Sequence, residues 1–210
     1  SFIEDVLVKK IKAKYCYVGD DFRFGKDRLG DCNMLQEHSV HHGFTVETVD
    51  GVSIDNQRVS SSAIRKLLSS GDFQTAEKLL GRPFAISGRV AHGDKQGRKI
   101  GFPTANISIR RKLSPVLGVF SVLIRINNIT YKGVCNVGKR PTLGGLKVLL
   151  EVFIFDFNQE IYGSRGNVFF KQKCREEIKF NSLEELKNQI KKDVKKSKQY
   201  FQDARIDQSI

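Results

Sequence analysis

Apolar residues along this chain keep two different rhythms, and the change falls near Gly81. Before it, Ile3, Val6, Leu7 and Ile11 recur at helical spacing, which predicts a helix over 3–12. Tyr15–Gly19 is a short apolar run closed by glycine and predicts a buried strand; a polar loop follows over 20–25. A helix is expected over 31–42, stopped by Gly43, and then an alternating strand over 44–49. Two more helices are expected. One starts near Ser61 and runs to Leu68; the other is capped by Asp72 and runs to Leu80, where Gly81 and Pro83 supply the stop chemistry. Strand and helix in alternation predict a parallel α/β layer.

Beyond Pro83 the texture changes to short runs. Strand-like runs cover 84–90, 118–126, 130–137, 148–157 and 167–171, bounded by Gly, Pro, Asn and Asp. Short strands with turn signals between them predict a sandwich or a barrel. One helix closes the chain. Ser182-Leu183-Glu184-Glu185 is a capping box, and Leu183, Leu186, Ile190 and Val194 form the apolar stripe behind it. A boundary near Gly81 thus divides 1–80 from 81–210.

Composition narrows the function classes. The 210 residues are 40% apolar and 28% charged, an ordinary globular balance. No apolar run has the length of a membrane span, and the first residues lack the basic-then-apolar pattern of a signal peptide. Cys16, Cys32, Cys135 and Cys174 form no Cys-x-x-Cys pair and are expected reduced, which points to the cytoplasm. The formal charge of +13 raises the question of a nucleic-acid partner. Lys187, Lys191, Lys192, Lys195, Lys196 and Lys198 cluster in the last helix, interspersed with Glu184, Glu185 and Asp193. That mixture reads as a solvated helical face, and no recognition-helix or zinc-finger pattern accompanies it, so neither nucleic acid nor membrane is expected as a partner.

Candidate chemistry concentrates over 88–106. Gly88, Gly93, Gly97 and Gly101 fall between two strand-like segments, with Lys95, Arg98 and Lys99 among them. Glycines let backbone N–H groups approach a phosphate, although a simple flexible hairpin reads the same way. Thr104 and Asn106 stand at alternate positions, so on extended chain both point to one side, where their oxygens suit a magnesium ion. Ser60, Ser61 and Ser62 stand at the start of a predicted helix, where one serine suffices as a plain cap. His38 and His42 have i,i+4 spacing without a third ligand cluster, which favours a solvated helix end over zinc.

These residues carry a family resemblance. Gly88-x-Val90-x-x-Gly93, then Gly97-Arg98-x-x-Gly101-x-Pro103-Thr104-Ala105-Asn106, resembles the signature of riboflavin kinases. The segments Gly133–Thr142, with Asn136 and Arg140, Leu150–Phe157 around Glu151, and Cys174–Leu183, with Arg175, resemble the family's later motifs in the same order. The family has Leu where Cys174 stands. Upstream, 18–31 and the Arg58-Val59-Ser60-Ser61-Ser62-Ala63-Ile64-Arg65 element resemble the adenylyltransferase module of the bacterial bifunctional riboflavin kinase/FMN adenylyltransferases.

The resemblance implies a partial Rossmann-like α/β nucleotidyltransferase segment followed by an antiparallel Greek-key β-barrel with a C-terminal helix. It implies ATP and riboflavin as substrates, FMN as product and Mg2+ as cofactor. Glu151 becomes the expected general base. Gly88, Gly93, Arg98, Gly101, Thr104 and Asn106 are expected around the ATP phosphates, with Thr104 and Asn106 also meeting magnesium. Asn136, Arg140 and Arg175 are expected on the flavin side; Arg140 or Arg175 could instead pair with Glu176 or Glu177. Arg58, Ser60, Ser61, Ser62 and Arg65 are expected to be the remnant of the adenylyltransferase site. The family's early His-x-Gly-His motif does not occur in these 210 residues, so the chain is expected to start inside the first module and to make FMN without FAD. Two other classes stay open on residues alone: a non-catalytic flavin or nucleotide binder, and a nucleic-acid-binding protein.

Overall fold

The computed structural model describes residues 1–93, 97, 100–109, 114–142 and 145–204, and of 140–142, 145 and 146 the backbone alone. The chain forms two compact units, Ser1–Val59 and Ser60–Ile210.

In the first unit, β1 (Tyr15–Gly19) and β2 (Thr45–Val49) pair in parallel, with Tyr15 opposite Thr45 and Gly19 opposite Val49. The connection between them carries α1 (Cys32–His42), capped by Asp31 and closed by Gly43 in the left-handed region. This is the expected strand–helix–strand order. A short hairpin of β3 (Ser53–Ile54) and β4 (Gln57–Arg58) follows; two-residue strands are too brief to show an alternation in sequence. The first helix, Phe2–Ile11, winds with the wide π pitch. Ile3 is buried with Leu35 and Phe44, whereas the wider turn leaves Ile11 exposed, off the apolar face that α-helical spacing predicts.

The second unit opens with two amphipathic helices, α2 (Ser61–Ser70) and α3 (Phe73–Leu80), capped by Ser60 and Asp72. Of their buried residues, Leu68, Phe73 and Ala76 belong to the same core as the barrel that follows. Phe73 meets Phe120 edge-on at 5.8 Å between ring centroids and Phe170 at 5.8 Å.

Six antiparallel strands close the barrel: β5 (Ala85–Ala91), β6 (Ala105–Ile107), β7 (Gly118–Ile126), β8 (Ile129–Thr142), β9 (Gly145–Ile154) and β10 (Arg165–Arg175). Their order around the barrel is β10, β5, β6, β9, β8, β7, and β7 returns to β10. β7, β8 and β9 run as consecutive hairpins and β10 comes back beside β7, a Greek key. The β7–β8 turn is Asn127-Asn128, both with positive φ, the pair of conformations a two-residue hairpin requires. The three-residue strand β6 is the one barrel strand that periodicity does not announce.

Side chains alternate between two environments. Val90, Ile107, Phe120, Val122, Ile124, Val137, Leu150, Val152 and Val168 fill the interior. Val119, Leu123, Val134 and Phe155 point outward and pack against α4 (Leu183–Asp203), where Val194 and Phe201 cover them. Ser182 caps α4 by accepting from the Glu185 N–H at 3.1 Å, and the Glu185 carboxylate accepts from the Asn181 N–H at 3.0 Å. The capping box read from sequence therefore forms, with its return bond one residue earlier.

Candidate active site

The register of the barrel assembles one lateral row. Asn106 of β6 stands opposite Glu151 of β9, Glu151 opposite Asn136 of β8, Asn136 opposite Val119 of β7, and Val119 opposite Arg175 of β10. Residues in lateral register share a face. Val119 belongs to the outward set beneath α4, and all five residues line one cavity. The cavity, about 340 Å³, therefore lies on the outer wall of the barrel under the helix, while the interior is filled. Its size falls within the range of small-molecule sites.

At one end the glycine-rich segment reaches the row. A Cβ added at Gly93 would stand 2.2 Å from Asn106 Nδ2, and one at Gly97 would stand 2.3 Å from the Phe102 carbonyl oxygen and 3.4 Å from Thr104 Oγ1. The main chain thus approaches the Asn106 side chain at Gly93, and the Phe102 carbonyl at Gly97, more closely than a residue with a Cβ allows without a shift. Gly93, Gly97, Thr104 and Asn106 all line the cavity. Tyr162 joins them, its ring stacked on His92 at 3.9 Å between centroids. Gly88 sits elsewhere, in β5 opposite Gly166, where a Cβ would meet the Ser108 carbonyl oxygen at 2.3 Å. Neither Gly88 nor Gly101 is among the cavity's described lining residues. Arg98 lies outside the described residues, as does the Arg140 side chain, although the Arg140 backbone is part of β8.

At the other end, the stretch from β10 into α4 forms a wall with Ile178, Phe180, Leu183, Leu186 and Ile190. Glu177 lines the cavity too, packed so closely on the main chain at Gly138 that a Cβ there would lie 2.3 Å from its Oε1. Arg175 forms its ion pair with the carboxylate of neither Glu176 nor Glu177. Its Nε donates to both Asp193 carboxylate oxygens at 3.0 Å and its Nη2 to Asp193 Oδ2 at 2.7 Å. The reading of Asp193 as part of a solvated face is thereby corrected: it is 5% exposed. The signal was present in sequence. Leu186, Ile190, Asp193, Ser197 and Phe201 recur at helical spacing, which places Asp193 on the apolar stripe.

The remaining candidates are not among the cavity's described lining residues. In the first unit Arg58 pairs with Asp20 and, at 3.4 Å, with Asp21. In the second unit Ser60 is the cap of α2, its Oγ accepting from the Ala63 N–H at 3.1 Å, while Ser61, Ser62 and Arg65 are exposed. The His38 and His42 rings are stacked at 6.0 Å, and no group of three metal-binding side chains of the His, Cys, Asp or Glu type occurs among the described residues. All four cysteines are unpaired. Burial pushes the Cys135 thiol well above its ordinary value; it also raises Cys174, whose Sγ lies 3.4 Å from Ser121 Oγ.

The second unit is thus a filled antiparallel Greek-key barrel that carries, on its outer wall, a cavity lined by both polar and apolar side chains. Residues 80–201 match the family model for riboflavin kinase, and residues 1–63 match the model for FAD synthetase. The chain is 50% identical over 201 residues to the bifunctional riboflavin kinase/FMN adenylyltransferase of Haemophilus influenzae, covering 95% of this chain and 65% of the relative. It is 44% identical over 202 residues to the protein of the same description from Escherichia coli K12, covering 96% of this chain and 64% of the relative. The chain therefore spans slightly less than two thirds of the length of these curated relatives. A solved structure described as a macrolide-efflux protein from Streptococcus pneumoniae superposes with a TM-score of 0.62 at 34% identity, over 91% of this chain and 62% of the other. Among the described residues, no helix is long and apolar enough to cross a membrane. The chain belongs to the riboflavin kinase family.

Proposed function

We propose that this chain transfers the γ-phosphoryl group of ATP to the 5′-hydroxyl of riboflavin, giving FMN and ADP. The observation that carries the reading is the lateral row, in which the Glu151 carboxylate stands between Asn106 and Asn136 inside one cavity. Phosphoryl transfer asks mainly for positioning and for neutralisation of charge, and the two ends of the cavity divide that work. The backbone at Gly93 and Gly97, with Thr104 and Asn106, holds the triphosphate. Arg98, outside the described residues, is assigned to the same phosphates. Asn136, Arg140 and Arg175, with the apolar wall from Ile178 to Ile190, take the flavin.

Glu151 accepts the proton of the 5′-hydroxyl as the new oxygen–phosphorus bond forms and the bond from the γ-phosphorus to the β-bridging oxygen breaks. ADP leaves with the electron pair of that bond. A magnesium ion fits this donor set, because Thr104 and Asn106 offer a hydroxyl and an amide oxygen, hard ligands that leave further positions for phosphate oxygens. When bound, it neutralises charge on the β- and γ-phosphates.

The partners assigned are therefore small molecules, with neither nucleic acid nor membrane. The unpaired thiols suit a reducing cytoplasmic setting. Residues 1–80 are assigned to an FMN adenylyltransferase module and 81–210 to the kinase module, consistent with the family matches over 1–63 and 80–201. The whole protein then also converts FMN to FAD. Arg58, Ser60, Ser61, Ser62 and Arg65 would serve that second reaction, which these 210 residues, without a His-x-Gly-His motif, do not perform. The test is to incubate the purified chain with riboflavin, ATP and magnesium and to separate the flavins by chromatography with fluorescence detection. FMN without FAD is the expected result. A folded chain that produces no FMN sinks the reading, and in that case the cavity is a binding scaffold.

A further inference from the structure

Arg175 and Asp193 are eighteen positions apart and close a loop of chain. Arg175 ends β10; Asp193 lies in the middle of α4. The segment between them supplies Glu177, Ile178, Phe180, Leu183, Leu186 and Ile190 to the cavity, one entire wall of it. Arg175 and Asp193 themselves line the same cavity.

The contact is built for direction as well as attachment. All three bonds from Arg175 to Asp193 are of ordinary length, and Gln189 Nε2 donates to Asp193 Oδ1 at 2.9 Å. The remaining Arg175 nitrogen, Nη1, donates to the Glu176 carbonyl at 2.9 Å. The guanidinium lies 5.8 Å from the centroid of the Phe180 ring, inside the wall it closes. Its plane is therefore fixed from three sides. Side-chain exposure is 17% for Arg175 and 7% for Asp193. A buried ion pair is no more stabilising than a well-packed apolar pair of the same shape, because both charges lose water. Docking of α4 has other means: Val194 and Phe201 pack on the barrel, Ser197 Oγ donates to the Gly133 carbonyl at 3.3 Å, and Lys196 Nζ donates to the Cys174 carbonyl at 2.8 Å. What the ion pair adds is a defined orientation of one guanidinium and a defined closure of one wall.

We infer that Asp193 is a positioning residue for the acceptor substrate. It acts through Arg175, holding the guanidinium and the 176–192 segment in the arrangement that receives the flavin, and takes no part in holding ATP. The inference rests on the assignment of this cavity to riboflavin and ATP.

The test compares Asp193→Asn, Gln189→Ala and Ser197→Ala with the parent chain, measuring kcat and the KM for each substrate. Asp193→Asn keeps the shape and removes the charge; the KM for riboflavin is expected to rise about tenfold or more, as loss of a charged partner implies, with the KM for ATP unchanged. Gln189→Ala, which removes one bond to Asp193 on an exposed-to-half-buried helix position, is expected to move the riboflavin KM in the same direction by less, and it serves if Asp193→Asn does not fold. Ser197→Ala loosens the docking of the same helix face without touching Arg175 and is expected to leave both KM values alone. A riboflavin KM that stays put in both pocket-side variants, or one that rises equally in Ser197→Ala, or an ATP KM that rises in parallel, overturns the inference while leaving the kinase reading intact. A parent chain that makes no FMN overturns both.

Discussion

Asn106 and Glu151 stand directly opposite each other on neighbouring antiparallel strands, so the expected metal-side amide and the expected base are lateral neighbours although 45 residues separate them in sequence. Glu151 is likewise in register with Asn136 on its other side. Two strand pairings thereby fix the backbone position of Glu151.

Replacing Glu151 by Gln keeps that geometry and removes the base. Turnover to FMN is expected to fall by about 10²- to 10⁴-fold, the usual contribution of general-base catalysis. Nucleotide affinity, followed by titration calorimetry, is expected to stay similar. Normal turnover in Glu151→Gln would remove Glu151 from the role of base.

Gly93→Ala tests the close approach of the main chain to Asn106. The added methyl group would lie 2.2 Å from Asn106 Nδ2, so the amide must turn away. A displacement on that scale is expected to lower turnover by on the order of 10²-fold. The thermal midpoint is expected to change little, since Gly93 sits outside the apolar core. Unchanged turnover with a folded protein would show that the Asn106 amide has no part in the reaction.

The attachment of α3 to the barrel is expected to dominate local stability. Phe73 is buried against Phe120 and Phe170, and Phe73→Ala leaves a cavity there. A loss of about 3–5 kcal/mol in denaturant unfolding is expected. A loss near zero would mean that the helix pair rests on the barrel without contributing to its core.

Thiol chemistry should divide the cysteines by depth. Cys16 and Cys32 are half-buried, and Cys135 and Cys174 are buried with raised ionisation ranges. Since the thiolate is the reactive species, alkylation at mild pH followed by peptide mapping is expected to label Cys16 and Cys32 first. The sign for stability follows from the same shift. The native state keeps the two buried thiols protonated at pH values where the unfolded chain has lost those protons, so stability is complete below the unfolded thiol range and falls as pH rises through it. A midpoint that rises between pH 8 and pH 10 would contradict this.

Much of this arrangement can be read from residues alone, and the gaps have physical causes. Cap and stop residues placed the helices correctly: Asp72 and Ser182 cap as expected, Ser60 is the one of three serines that caps, and Asp31, read as the first residue of its helix, caps it instead, because a side-chain oxygen on the orphan N–H groups is a local event. Five strands of the barrel are legible as short strand-like runs between turn residues, with β6 too short to declare itself. The Thr104–Asn106 spacing announced a shared side, and the structure brings both to the cavity. The partner of Arg175 was not found, because it depends on how α4 lies across the barrel, and a lone acid among lysines looks solvated until its place on the apolar stripe is counted. The lateral row itself is beyond sequence reading, since it depends on the register of four strand pairings at once.

On β9, Leu150 and Val152 are fully buried while Glu151, between them, looks out into the cavity. One strand thus carries two inheritances on alternate positions, one answerable to folding and the other to chemistry. Substitutions in the outward set, Asn106, Asn136, Glu151 and Arg175, meet no constraint from the filling of the interior. The residues that face substrate and those that fill the core can therefore change independently, except at Arg175, whose buried pair with Asp193 ties the site to the seating of α4.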